Sequence, residues 1–405
     1  MRCRHCGFAL LHNLIDLGFA PPSNSYLAEE DLSKPETYYP LKIRVCHNCW
    51  LVQTEDFVAA DKMFTPDYAY FSSASESYLV HAAEYVAKMT KELSLGKDSF
   101  VIEIGSNDGY LLRNFVALGI PCLGVEPSTQ TAKVAKSLGV QVVHKFFSST
   151  TARTLPKADL ILGNNVYAHV PDINDFTAGM KIALKEGGTI TLQFPHLTNL
   201  LKETQFDTIY HEHFSYLSLC AVARIFSSVG LRVFDVEELP IHGGSLRVYG
   251  CHDDDPRTTT PAAFALLVQE QKDGLCSLAG YQSFQEQADK IKNDLLYFLI
   301  DMKRHGKMVA AYGAAAKGNT FLNYAGIKPD LVPFVCDDTK AKQGKYMPGS
   351  HIPILSQEDL LTRHFDYLLV LPWNHVEEIK KRNQILSVCE VKVITAIPEL
   401  KIHPW

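Results

Sequence analysis

The chain lacks any uninterrupted apolar run near the ~20 residues that cross a bilayer, and its opening residues, MRCRHCGFALLHN, hold no secretory apolar segment. Neither a membrane partner nor export is expected, and the reading is a cytoplasmic protein. A basic excess is missing as well. Against 39 Lys and Arg stand 45 Asp and Glu, a net charge of −6, and no Lys/Arg stripe runs along the chain. Nucleic-acid binders carry such a stripe, so no nucleic-acid partner is expected. Repeats and low-complexity tracts are absent too, which leaves ordinary globular domains. At 405 residues, 46% hydrophobic and 21% charged, the chain is long enough for two or three cores.

Ten cysteines are present, and a reducing cytoplasm argues against disulfides. Six are scattered singly (Cys122, Cys220, Cys251, Cys276, Cys336, Cys389), as small buried hydrophobes are. The other four form two CxxC turns, Cys3/Cys6 and Cys46/Cys49. A CxxC turn sets two thiolates on one side of a metal, and two turns complete a tetrahedral zinc shell. With no open position, this zinc is expected to be structural, and loss of one cysteine to unfold the N-terminal lobe before it affects chemistry elsewhere. His5 and His47, inside the turns, are alternate ligands.

Three regions follow from the patterning. Residues 1–80 hold the cysteine turns and an aromatic–serine run, PDYAYFSSASESY, before a helix expected over HAAEYVAKMTKEL, where Ala82, Val86 and Met89 recur at helical spacing. Residues 81–255 alternate apolar strands (SFVIEIG, CLGVE, VQVVH, LILGNN, TITLQF) with helical stretches such as STQTAKVAKSLG. That alternation predicts a parallel α/β sheet covered on both faces. A polar, proline-containing break, HDDDPRTTTP, leads into residues 256–405. There a long helical stretch from AAFALLVQEQ to NDLLYFLIDMKRHG precedes a second strand–glycine loop–helix unit, MVAAYGAAAKGNTFLNYAG, and strands at LVPFVCDD and YLLVLPW.

The first strand of the central region ends in a tight turn, Glu103-Ile104-Gly105-Ser106-Asn107-Asp108-Gly109. Gly105 and Gly109 allow close backbone approach to a ligand, and Glu126, in LGVEPS with Pro127, ends the next strand where a carboxylate accepts ribose hydroxyls. The turn has no GxGxxG and carries Glu103 and Asp108, whereas a pyrophosphate wants bare N–H groups. A cationic sulfonium and ammonium tolerate carboxylates, so the expected cofactor is S-adenosylmethionine rather than NAD. Asn107 stands where the common methyltransferase pattern has glycine. Asn164, Asn165 and His169, in LILGNNVYAHVPD, lie at the carboxyl end of the fourth strand, facing donor and substrate. A turn-forming role for Asn165 and helix capping for His169 are the structural alternatives.

The densest titratable cluster is Tyr210, His211, Glu212, His213 and Tyr216 in IYHEHFSYLS. Imidazoles so crowded are tuned near neutral pH and suit proton transfer. HEH is a poor metal site, because alternating side chains diverge. In the C-terminal loop, Gly313 to Asn319 joins close backbone approach, a helix start and Lys317, features that suit a diphosphate. Helix packing is the plain reading of such a loop. Arg247 in GGSLRVY is a second anion-binding candidate, with a structural ion pair as its alternative.

Across nearly its whole length the chain resembles the C-methyltransferases that act on nucleoside-diphosphate 4-keto-deoxysugars. The resemblance is carried by CRHC and CHNC, DYAYFSSAS, EIGSNDGYLL, GVEPS, NNVYAHVPD, YHEHFSYLS, HGGSLRVY, GAAAKGNTFLN and CDDTKAKQGKYMPGSHIPI. It implies an α/β protein with an N-terminal zinc-binding lobe, a central class I (Rossmann-like) methyltransferase domain and a C-terminal second Rossmann-like domain, the nucleotide-linked keto sugar lying between lobes. By motif it also implies that Tyr68 or Tyr70, His169, Tyr210, Glu212 and His213 line the sugar, that Lys317 and Asn319 contact its nucleotide, and that the protein is a monomer. The chemistry expected is removal of the carbon-3 proton by His213 and methylation of the resulting enolate. O- or N-methylation in the same fold, an NAD-dependent sugar oxidoreductase, and an inactive zinc-stabilised scaffold are the competing readings.

Overall fold

The computed structural model describes residues 1–55, 57 and 71–405, and among these three sheets divide the chain. The first is antiparallel, in the order β1 (His12–Ala20), β2 (Tyr39–Val45), β3 (Val52–Thr54) and β9 (Ser215–Tyr216). Its last strand comes from the middle of the chain. Through β1 and β2 this sheet shares one apolar core with the C-terminal region, where Leu14, Ile15, Leu41 and Ile43 meet the group containing Leu295, Leu299 and Val309. The cysteine turns belong instead to the core of the central region, with Leu217, Leu219 and Phe226. The N-terminal lobe is therefore wedged between the other two.

The second sheet has seven strands in the order β10-β11-β8-β7-β4-β5-β6. These are β4 (Val101–Ile104), β5 (Cys122–Val125), β6 (Gln141–Val143), β7 (Ala158–Asn164), β8 (Leu184–Pro195), β10 (Leu231–Leu239) and β11 (Ser245–His252). Strand β11 runs antiparallel to both neighbours, and the other pairs are parallel. β4 and β5 are buried at every position, as strands of a doubly covered parallel sheet are, even at Glu103 of β4, while β6 at the edge is the exposed one. Sequence reading finds β4 to β8 and leaves β10 and β11 unassigned.

The third sheet runs β14-β13-β12-β15-β16-β17, built from β12 (Val309–Tyr312), β13 (Val335–Cys336), β14 (Ile354–Leu355), β15 (Tyr367–Val370), β16 (Lys392–Thr395) and β17 (Lys401–His403). All pairs are parallel except the last. The long helical stretch expected before it is two helices, Pro261–Lys272 and Phe284–Arg304. Gly274, at φ +86°, breaks it, because a Cβ there would lie 2.8 Å from Gly280. Pro261 and the Thr260 cap start the first of these helices. Its Glu270 carboxylate accepts the Leu219 and Cys220 N–H groups at 2.7 Å each and bonds His196 at 2.8 Å. Among the described residues no helix is long and apolar enough to cross a membrane.

Candidate active site

The four cysteine sulfurs lie within 4.8 Å of one another, with Cys3–Cys49 and Cys6–Cys46 each at 3.5 Å. Tetrahedral Zn–S bonds of about 2.3 Å require sulfurs roughly 3.8 Å apart, so this donor set fits zinc. Gln53 Nε2 donates to Cys3 Sγ at 3.1 Å, an outer contact of the kind that orients metal thiolates. His5 instead bonds Asn174, at 2.7 Å.

A cavity of about 820 Å³ opens at the carboxyl ends of the central strands. Gly105, Asn107, Glu126, Pro127, Asn164 and Asn165 line one end of it. Gly105 turns at φ +68°, and an added Cβ would meet the Val166 side chain at 3.1 Å. Asn107 reaches φ +49° without being glycine, a conformation asparagine tolerates, so the turn keeps its shape. The Glu126 carboxylate accepts N–H groups of Asn107 (2.9 Å) and Ser128 (2.8 Å), which ties the first turn to the second strand. A carboxylate has lone pairs to spare for two ribose hydroxyls. Asn164 and Asn165 donate to the Tyr110 and Tyr78 hydroxyls, and their buried carboxamide oxygens have no partner among the described residues. Unsatisfied acceptors on a cavity wall fit a ligand that brings donors, as the ammonium of S-adenosylmethionine does. Phe146 and Phe147 also line the cavity, with apolar rings suited to an adenine.

Three residues expected to touch the cofactor lie behind the wall. Asp108 accepts the Ser73 N–H at 3.1 Å, and a Cβ on Gly109 would meet Ala135 at 3.1 Å. Glu103 is fully buried, and burial, then the Asp108 and Glu126 charges, hold its carboxyl well above the usual carboxylate range. It lies beneath the turn, where the charged form is disfavoured, rather than facing a cation.

The other side of the cavity carries His169, Tyr210, Glu212 and His213. The His169 and His213 rings are 4.7 Å apart, and Tyr210 lies 4.0 Å from His213 between ring centres. His213 Nδ1 bonds the Thr208 carbonyl at 2.8 Å, and His169 Nδ1 bonds the Glu212 carbonyl at 2.8 Å. A carbonyl only accepts, so both Nδ1 atoms carry the proton and both Nε2 atoms carry the lone pair. Burial, then His169, keeps His213 well below the ordinary imidazole range, and burial lowers His169 to about 4. Both rings are neutral at pH 7. Asn24 of the N-terminal lobe donates to Glu212 Oε1 at 2.7 Å. His211 turns away and bonds the Pro40 carbonyl at 3.2 Å. Tyr68 and Tyr70 lie outside the described residues.

From the C-terminal region, Lys317 lines the cavity and donates to Asn374 Oδ1 at 2.8 Å. The glycines of its loop serve packing, since a Cβ on Gly313 would meet Pro372 at 2.4 Å and one on Gly318 would meet Leu371 at 2.8 Å. Asn319 is buried away from the wall. Arg247 is also away from it: its guanidinium pairs with Glu237 at 2.9 Å, bonds Gln193 at 2.8 Å and stacks over Tyr85. This is the structural ion pair of the two readings. Sequence reasoning missed Tyr78, Tyr110 and His242, which line the cavity, although Tyr78 falls in the phase of the buried helix face with Ala82 and Tyr85.

Three family models tile the chain: a domain described as zinc binding over residues 3–64, a methyltransferase domain over 78–236, and the C-methyltransferase C-terminal domain over 240–398. Over 404 residues the chain is 33% identical to the C-methyltransferase NovU of Streptomyces niveus, covering 99% of this chain and 96% of that one. Among solved structures, magnesium protoporphyrin IX methyltransferase from Synechocystis PCC 6803 aligns with a TM-score of 0.34 and 12% identity, over 43% of this chain and 78% of that one. An S-adenosylmethionine-dependent methyltransferase from Thermotoga maritima aligns at 0.35 and 19%, over 45% and 95%.

Proposed function

The chain belongs to the C-methyltransferase family, and on that premise we propose that it methylates carbon 3 of a nucleoside-diphosphate 4-keto-deoxysugar, with S-adenosylmethionine as donor. One observation carries the reading: the lone pair of a neutral imidazole, His213 Nε2, shares one cavity with Glu126, Asn164 and Asn165. When bound, S-adenosylmethionine supplies a methyl group open to in-line attack by a carbon nucleophile.

The residues of this chain make that nucleophile. A proton beside a ketone is acidic because the conjugate base spreads its charge onto oxygen. His213 Nε2 takes the carbon-3 proton, and Nδ1–H, held on the Thr208 carbonyl, keeps the ring in the tautomer that can do so. His169 in the same tautomer also offers only a lone pair at Nε2, so the Tyr210 hydroxyl is the donor in this patch for the developing oxyanion. Glu212, held by Asn24, accepts a sugar hydroxyl. Lys317 meets the diphosphate. Glu126 binds the ribose of the donor, and the Tyr78–Tyr110 pair braces Asn164 and Asn165 beneath it.

The test is incubation with donor and a panel of nucleotide 4-keto sugars in heavy water. A mass gain of one methyl is expected for one of them, and ring-proton exchange with S-adenosylhomocysteine in place of the donor. Methylation of a hydroxyl, or transfer with no exchange in any arm, rules the enolate reading out.

A further inference from the structure

Between β10 and β11 the turn Ile241–Gly243 places three successive residues in left-handed backbone: His242 at φ 56°, Gly243 at 83° and Gly244 at 102°. The glycines are required by space. A Cβ on Gly243 would lie 2.9 Å from the Trp373 ring, and one on Gly244 would lie 2.2 Å from Asn199 Nδ2. Imidazole in this conformation is uncommon, and such residues concentrate at ligand sites. His242 lines the cavity with its ring edge-on to Tyr78, 5.4 Å between centres. Its Nε2 is shut off from solvent and has no hydrogen-bond partner among the described residues.

The groups facing His242 are cationic or neutral. Tyr78 and His81 come from the helix Glu76–Glu92, Lys317 from the helix Ala316–Ala325, and His375 from the turn Trp373–His375. Burial, then Lys317, His375 and His81, lower His242 to about 4. His375 is held down by burial, with Glu378 at 3.4 Å pulling the other way. Burial lowers Lys317 as well, and Asp207 opposes that. Asp207 is itself covered, its Oδ2 accepting the Trp373 indole N–H at 2.9 Å. Lys317, His242 and His375 thus line one cavity, with Lys317 discouraging a charge on both imidazoles and His375 adding to that at His242. An anion of two or more charges reverses that balance.

We propose that His242 is a ligand-binding residue which, with Lys317 and His375, forms the subsite for the substrate's diphosphate and takes up a proton from solvent as that group binds. This rests on the nucleotide-sugar reading above. It moves the anion contact from Arg247 and Asn319 to the β10–β11 turn.

The probes are uridine 5′-diphosphoglucose and thymidine 5′-diphosphoglucose, whose diphosphate diesters carry no group that titrates between pH 6 and 8, titrated calorimetrically into the full chain at pH 7 in buffers of differing ionisation enthalpy, and again at pH 6 and pH 8. The expected result is net uptake of roughly half a proton or more per diphosphate, with binding about tenfold tighter at pH 6 than at pH 8. His242→Asn keeps a side chain that tolerates left-handed backbone and should lose most of the uptake and about tenfold in affinity at pH 6. His375→Asn should lose part of both, which guards against a folding defect in the first variant. Wild-type affinity and uptake in His242→Asn overturn the proposal while leaving the nucleotide-sugar reading intact. Failure of the unmodified protein to bind either probe overturns both.

Discussion

Replacement of His213 by Asn is the sharpest test of the chemistry. The amide can still donate to the Thr208 carbonyl, as Nδ1–H does at 2.8 Å, so the 206–213 segment keeps its anchor. What disappears is the Nε2 lone pair. A positioned general base contributes about 10²–10⁴ in rate, or roughly 3–5 kcal/mol at 1.36 kcal/mol per tenfold. The expected result is a fall of that size in kcat, with S-adenosylhomocysteine affinity unchanged, because Glu126, Asn164 and Asn165 are untouched. Ring-proton exchange should fall in parallel, since it reports deprotonation without methyl transfer. The pH profile supplies a second reading. Burial holds His213 well below 6.5, so the base is already neutral at pH 6.5 and kcat should stay level from there to pH 8. A variant that exchanges the proton at the wild-type rate, or an acid limb centred above pH 7, refutes the assignment.

Stability should fall with acid in a defined window. His169, at about 4 when folded and near 6.5 when unfolded, contributes fully above pH 6.5 and loses about 3 kcal/mol as pH drops toward 4; the slope of urea midpoints against pH should flatten in His169→Asn. Glu270→Ala orphans two backbone N–H groups and a buried His196, and should cost about 3–5 kcal/mol in denaturant titration. Asn24→Ala should lower kcat with little change in donor affinity, through the lost 2.7 Å bond to Glu212, and an equal loss in donor affinity would point to lobe misfolding instead. Chelation of the metal removes a contribution on the order of 10–16 kcal/mol in small zinc modules. Intrinsic fluorescence and activity should then be lost together.

How much of this is legible in the sequence depends on how local each signal is. β4, β5 and β7 announce themselves because strands covered on both faces are predominantly apolar rather than alternating. The CxxC turns are equally local. β10 and β11 are not, being half-buried in one case and antiparallel within a parallel context in the other. That omission explains Arg247: it sits directly across from Glu237 in the β10–β11 register, a cross-strand charge pair visible only once the hairpin is seen. The same hairpin carries His242 to the cavity. Glu103 was legible as an acid, but its upward shift was not, because burial in the folded sheet and then the Asp108 and Glu126 charges produce it.

The zinc lobe and the chemistry are coupled more tightly than the spacing of the cysteines suggests. Strand β9 begins two residues after His213 and pairs with β3, which follows the second cysteine turn. Between them Phe214 is fixed on both sides: its N–H donates to the Ala168 carbonyl at 2.8 Å, and its carbonyl accepts the Thr54 N–H at 3.1 Å. Arg4, inside the first cysteine turn, lies over the Phe214 ring at 5.3 Å. Asn24 reaches Glu212 from the same lobe. The residues flanking the base on either side therefore take their positions from a sheet whose end is held by four thiolates. The expectation that cysteine loss unfolds the lobe before chemistry elsewhere suffers does not suit this arrangement. Loosening the metal is therefore expected to shift β3 and, through β9, the His213 segment, so that activity falls while S-adenosylhomocysteine still binds.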